Sequence, residues 1–250
     1  MRRGSVLAAA GRVLAALALL TIAAGPPAAS TDLTVDEIVA RHIEARGGLK
    51  KLRSIQTLRE HGRVLAGPNR QALVTRQIKR PDQVRLEFTV QGVTSVYVSD
   101  GRQGWKMSPF DGDTSPTPLP EQAVTEAAEQ VDIEGPLVDW KAKGHTVELV
   151  GHEMVGGHDS YKLKITLPSG AVRHEYIDVK DFQRLRTDST RLARGRNVQI
   201  QTTFSDFRKT GGVAFPHVAE VVAAGRPQRL IVRVDRIEIN PPLSDGLFAQ

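Results

Sequence analysis

The sequence predicts a mainly β, α+β domain, and three observations carry that prediction. First, apolar and polar residues alternate with period two through most of residues 59–239. Val84, Leu86, Phe88 and Val90 fall on one face of an extended segment, and Arg85, Glu87, Thr89 and Gln91 on the other. That pattern marks a sheet with one dry and one wet face. It returns at Leu163, Ile165 and Leu167 against Lys162 and Lys164, and at Val198 and Ile200 against Gln199 and Gln201. Second, glycine-rich turn signals punctuate the series near residues 155–158, 168–170, 193–195 and 210–212, as hairpin connections require. Third, only two segments break the alternation with helical spacing. One lies at the start of the series and one in its middle.

The elements follow in order. Arg2 and Arg3 precede an apolar stretch at residues 14–24, then Pro26, Pro27 and the small residues Ala28, Ala29 and Ser30. This is the layout of a cleaved secretory signal peptide over residues 1–30. The apolar stretch is shorter than the roughly 20 residues that a membrane-spanning helix needs. The alternative is an uncleaved amphipathic anchor. Residues 31–250 then read as one domain.

Thr34-Val35-Asp36-Glu37 has the form of a capping box, in which the Thr34 hydroxyl accepts from the Glu37 amide and the Glu37 carboxylate reaches back. Val35, Val39 and Ile43 make an apolar stripe on the helix that follows. Gly47-Gly48 ends it, and Leu49, Leu52 and Ile55 carry an apolar face through a second short turn. Residues 111–120, rich in Pro, Ser and Thr, are expected to be a loop without strand or helix. Residues 121–131 read as helix, with Ala123, Ala127 and Val131 on one stripe. Gly135-Pro136 interrupts it, and residues 137–140 are expected to restart a short helix. This insert is expected to pack on the dry face of the sheet. It would be either a static plug or, hinged at Gly135-Pro136, a movable cover.

Composition narrows the function. There is no cysteine, so an exported chain has neither disulfides nor a lipid-attachment cysteine, and is expected to be soluble after cleavage. Arg2, Arg3 and Arg12 leave with the first thirty residues and no acid does, which lowers the net charge from +6 to +3. The remaining basic residues are mixed with acids and not interleaved with aromatics, against a nucleic-acid surface. The seven histidines come without HExxH or cysteine partners. His152 and His158 flank the Gly156-Gly157 turn and are placed to face one another across a hairpin, but two ligands fall short of the three or four that zinc requires. No metal site and no cofactor is expected. No GxSxG, Walker loop or GxGxxG is present. Asp206 is expected to pair with Arg208 or cap a turn, not to catalyse; a hydrolase using the histidines is the weakest reading. The dry face is therefore the functional candidate: it covers either a closed core or a ligand.

Several segments together resemble the LolA/LolB-like superfamily of periplasmic lipoprotein carriers, most closely its outer-membrane lipoprotein-sorting group. They are ARHIEARGGLKKL at residues 40–52, VSDGRQGW at 98–105, the stretch 133–170, YIDVKDFQRLR at 176–186, FSDFRKTGGVAFPH at 204–217 and IEINPPLSDGLF at 237–248. The resemblance implies a strongly curved, unclosed antiparallel β-barrel. Its N-terminal helix and mid-chain helical insert would cover a concave apolar face that holds acyl chains. On that reading Leu86, Phe88, Val90, Val96, Val98, Leu137, Trp140, Leu163 and Ile165 form the lipid-binding face. The protein would be a periplasmic, non-enzymatic carrier or binder of lipid or lipoprotein acyl chains, with no stable transmembrane anchor and with envelope membrane proteins as further partners. The superfamily also contains lipid-sensing and regulatory domains. An envelope sensing or scaffold domain that binds another protein along its sheet edge is therefore the alternative.

Overall fold

The computed structural model describes residues 33–193, 196–226 and 228–249. The expected signal peptide lies outside them. Helix α1 (Val35–Ala45) and the shorter α2 (Leu49–Ser54) open the described chain. Strands β1 (Thr57–Leu65), β2 (Gln71–Lys79), β3 (Gln83–Val90), β4 (Val93–Ser99), β5 (Gly104–Ser108) and β6 (Asp113–Pro118) follow, then α3 (Glu121–Val131). The second run is β7 (Thr146–Val155), β8 (His158–Thr166), β9 (Val172–Asp178), β10 (Arg184–Ala193), β11 (Arg196–Thr210), β12 (Val213–Ala223) and β13 (Leu230–Ile239).

The thirteen strands of the described residues form one antiparallel sheet in the order β6-β5-β4-β3-β2-β1-β13-β12-β11-β10-β9-β8-β7. Two meanders are joined where β1 pairs with β13. The edges, β6 and β7, are not paired with each other, so the sheet is a curved barrel left open along one side. The chain passes between those two edges through α3 and the turns that follow it. The insert therefore crosses the open side because the topology forces it there.

The helical starts are those the sequence predicts. Thr34 accepts from Glu37 and Glu37 returns the bond, completing the capping box. Gly47, at φ +116°, sits where a Cβ would collide with the carbonyl of Gly212. Only glycine lets the α1–α2 turn dock there. At Gly62 a Cβ would strike the carbonyl of Arg233, so glycine permits the close approach of β1 to β13 at the register shift beside His61.

Two expectations are corrected. Residues 111–120 are not a bare loop: a 3₁₀ turn at Pro109–Asp111 leads into the edge strand β6. Prolines are tolerated there because an edge strand leaves half its amides without a ladder partner. Residues 137–140 form consecutive turns, not a helix, since positive φ at Gly135 and Asp139 breaks the helical path on both sides.

The concave face carries two contiguous cores. One joins Leu52, Ile55, Leu58, Ile78, Val84, Val131, Ile133 and Phe215 under α2 and the end of α3. The other joins Ile38, Val39, Leu137, Leu163, Ile165 and Ile177 under α1. A third, smaller cluster lies on the convex face, where Leu243 and Phe248 of the C-terminal tail cover Val96 and Val98.

Candidate lipid-binding groove

Pairing registers assign each side chain to a face. Leu58, Glu60, Gly62 and Val64 of β1 stand opposite Ile78, Arg76, Val74 and Ala72 of β2. Those in turn stand opposite Val84, Leu86 and Phe88 of β3. Because side chains alternate across a strand, this set shares the concave face. On the far side it continues through Ala219 and Val221 of β12, paired with Val232 and Leu230, and through Thr202 and Ile200 of β11, paired with Thr187 and Ser189 of β10. The helices fill only part of this surface. Val64, Val74, Phe88, Val90, Ile200, Val221 and Val232 are only partly buried, and they form an apolar groove beyond the packed cores.

Against one wall of the groove, α3 leaves a cleft of about 330 Å³ lined by Leu86, Tyr97, Lys106, Leu119, Ala123 and Glu126. Phe88 meets Tyr97 edge to face, with ring centroids 6.2 Å apart. Glu126 of α3 reaches Arg191 of β10 at 3.6 Å, a link between the insert and the opposite wall. A larger depression at Leu65 and Ile231 is a shallow, open one at the strand tips, without walls to enclose a chain.

The expected site residues separate into three groups. Leu86, Phe88 and Val90 lie on the concave face at the open groove. Val96 and Val98 do not: they pair with Glu87 and Arg85, which turns them to the convex face under Leu243 and Phe248. Val98 also borders the α3 cleft, but its side chain packs on the convex side. The two-residue Gln91-Gly92 turn pairs Val90 with Val93 and Leu86 with Tyr97, so the inward positions are even-numbered on β3 and odd-numbered on β4. Leu137, Trp140, Leu163 and Ile165 do come together, but in the closed core with Ile38 and Ile177. Leu163 and Ile165 have no exposed surface and Leu137 almost none.

The insert is held in place by charged hydrogen bonds. Arg46, at the end of α1, donates to the carbonyls of Ile133 (2.9 Å) and Glu134. Arg80 pairs with the Glu134 carboxylate at 2.7 Å, and Arg53 pairs with Asp139. Burial lowers the Arg46 pKa to about 10, with the charge of Arg184 adding to that effect.

A charged belt crosses the concave face between core and groove, and sequence reasoning missed it. Glu175 of β9 is fully buried. Its Oε1 accepts from Arg173 at 3.0 Å and from Arg184 at 3.4 Å. Burial alone would raise the Glu175 carboxyl; Arg184, Arg173, His42 and Arg46 more than offset it and hold the group below the ordinary carboxylate range. Arg184 stacks on Phe204 at 4.3 Å. It keeps 28% of its side-chain surface exposed, as a group facing a wet lumen does. Across the face, Arg76 pairs with Glu60 at 2.7 Å. Burial opposes its charge, but Glu60 raises its pKa overall. His42 is buried on the α1 stripe and bonds the Phe182 carbonyl at 2.7 Å. Burial, then the charge of Arg46, lowers its pKa to about 4. The signal for this belt was available: Arg76 shares parity with Val74 and Ile78, and Arg173 and Glu175 share it with Ile177. A charge at an inward position of an alternating strand is the anomaly to look for.

The histidine pair expected across the β7–β8 hairpin does not form. His152 stands by Asp159 and His158 bonds Asp178 at 2.8 Å, because the register pairs His152 with Tyr161 and His158 with Val155. Asp206 pairs with Arg208 at 2.7 Å. Among the described residues, no cluster of three or more His, Asp or Glu side chains could hold a metal ion. No described helix is long and apolar enough to cross a membrane.

No protein-family model matches the sequence, and no curated protein matches it. Solved structures do match. A LolA superfamily protein from Nitrosomonas europaea aligns over 88% of this chain and 99% of its own, at 15% identity and a TM-score of 0.57. A putative outer membrane lipoprotein-sorting protein domain from Vibrio parahaemolyticus aligns over 86% and 97%, at 11% identity and a TM-score of 0.58. A DUF1329 family protein from Desulfovibrio piger aligns over 86% and 96%, at 16% identity and a TM-score of 0.58. Likeness at such low identity is likeness of fold, and by its open thirteen-strand sheet with the insert across the gap this chain has the LolA-like fold.

Proposed function

We propose that this protein is a non-enzymatic periplasmic binder or carrier of lipid or lipoprotein acyl chains, exported by cleavage of its first thirty residues. The observation that carries the reading is the half-filled concave face. An apolar groove built from strands of both meanders continues past the closed cores and is partly exposed. Burying an acyl chain there gains about 0.8 kcal/mol per CH₂, so a chain of ordinary length suffices for retention. Phe88, Val74, Val232 and Leu86 would meet the chain. Leu137, Leu163 and Ile165 would support the groove from the closed core behind it. The solved structures of the same fold include one described as a putative lipoprotein-sorting domain, which agrees with this reading.

Native mass spectrometry of the protein purified from its own envelope tests it. The expected result is a mature chain beginning near residue 31 with lipid bound. A chain without cargo that also fails to bind a fluorescent acyl probe would reject the reading. One observation favours a second reading. Edge strand β7 has an unpaired ladder and exposes Val150 and Met154, a surface to which a strand of an envelope protein could add. Cross-linking in the envelope that maps to β7, with no lipid retained, would select it.

A further inference from the structure

We propose that the lumen contains a headgroup site for an anionic amphiphile, formed by Arg173, Arg184 and Thr187 with Arg76 opposite. This rests on the acyl-binding reading and names the class of cargo. Glu175 is the one carboxylate bonded to both Arg173 and Arg184, and a single oxygen accepts from both. One cationic charge is thus left over within the belt. Arg76, paired with Glu60, stands on the concave face by its register with Leu86, the same face that carries Arg184 opposite Ile177. Arginine has donors and no acceptor. Among the described residues nothing accepts from the buried Nε of Arg173, and the buried hydroxyl of Thr187 has no partner either. Thr187 is only 6% exposed. It pairs directly with Glu175 across β9 and β10, and so stands on the same face.

Buried donors without acceptors are costly, and these flank a surplus positive charge. An oxyanion satisfies both conditions at once. Thr187 is followed across the face by Thr202 and Val221, and Ser189 by Ile200. The polar site therefore opens directly onto the apolar groove. A free anion would use only the first part of this surface and a neutral glyceride only the second. A phosphate or carboxylate headgroup on an acyl chain uses both.

Calorimetric titration of the parent protein with 1-palmitoyl lysophosphatidic acid, 1-monopalmitoylglycerol and inorganic phosphate tests this. The phospholipid should bind about tenfold more tightly than the glyceride, as one charge-assisted hydrogen bond supplies, and the gap should shrink at high salt. Arg184→Gln should bring the two lipids within about twofold of each other, whereas Arg184→Lys, which keeps the charge but loses the planar fork and its stack on Phe204, should keep part of the preference. Thr187→Val is a milder second variant, expected to weaken only the phospholipid by roughly threefold. If Arg184→Gln fails to fold, the preference of the parent and its salt dependence still decide. Equal binding of both lipids overturns the headgroup site and leaves the acyl-binding reading standing. Phosphate binding as tightly as the phospholipid overturns the amphiphile. No binding of any probe overturns the acyl-binding reading and this site with it.

Discussion

Replacing Leu137 by alanine separates a packed plug from a movable cover. Leu137 is 2% exposed and joins Ile38, Leu163 and Ile165 in one core. Losing the buried side chain forfeits about 1.5–3 kcal/mol of transfer free energy. A cavity term adds to it, because the neighbours sit on α1 and β8 and cannot collapse into the space. Together these give about 3–5 kcal/mol, or a melting temperature roughly 6–20 °C lower for a domain of this size. The pinning bonds of Arg46, Arg80 and Arg53 to residues 133–139 make the same forecast, since they hold the segment against the sheet. The assay is a thermal melt of parent and variant, read beside the affinity of a fluorescent acyl probe. The expected pattern is a large stability loss with little change in probe affinity. A loss below about 1 kcal/mol accompanied by altered probe affinity would refute the reasoning, and residues 132–145 would then be a mobile cover touching cargo.

Phe88→Ala should show the opposite pattern, a loss of about 1 kcal/mol or less in stability, since the ring is only partly buried, with weaker acyl-probe binding measured on the same protein. Stability should fall with decreasing pH from about 6.5 to 4. His42 is held neutral in the fold with a pKa of about 4, so the unfolded chain takes up the proton first. Urea titrations across that range should give a slope that His42→Asn flattens, and an unchanged slope would sink the assignment. Glu175→Gln leaves Arg173 and Arg184 without their shared counter-charge. It should cost about 2–3 kcal/mol in denaturant melts, less than a fully buried pair because the guanidinium groups keep 19% and 28% exposure. Phe248→Ala uncovers Val96 and Val98 on the convex face and should lower stability by about 2–3 kcal/mol, with increased binding of a hydrophobic dye.

The amino-acid sequence by itself determined the class of the fold, the places of α1 and α3, and the capping box of α1. The capping box at Thr34 and Glu37, the stop at Gly47-Gly48 and the alternation through Val84–Val90 are local: each depends on residues within a turn or a strand, and local chemistry specifies them. Leu86 and Phe88 were legible as inward residues for the same reason. Only the tertiary structure decided which faces of separate strands coincide. Val96 and Val98 alternate as cleanly as Leu86 and Phe88, but the turn at Gln91-Gly92 and the pairing register send them to the convex side. A one-residue offset moves a whole strand to the other face. The division of the dry face into closed core and open groove was likewise decided at long range, by where α1, α2 and the insert come to rest. The arginine belt depends on it most. Arg173 and Arg184 meet on Glu175 through the pairing of β9 with β10, whereas Arg76 stands far away in the chain on β2, and only the register of the whole sheet sets it on the same concave face.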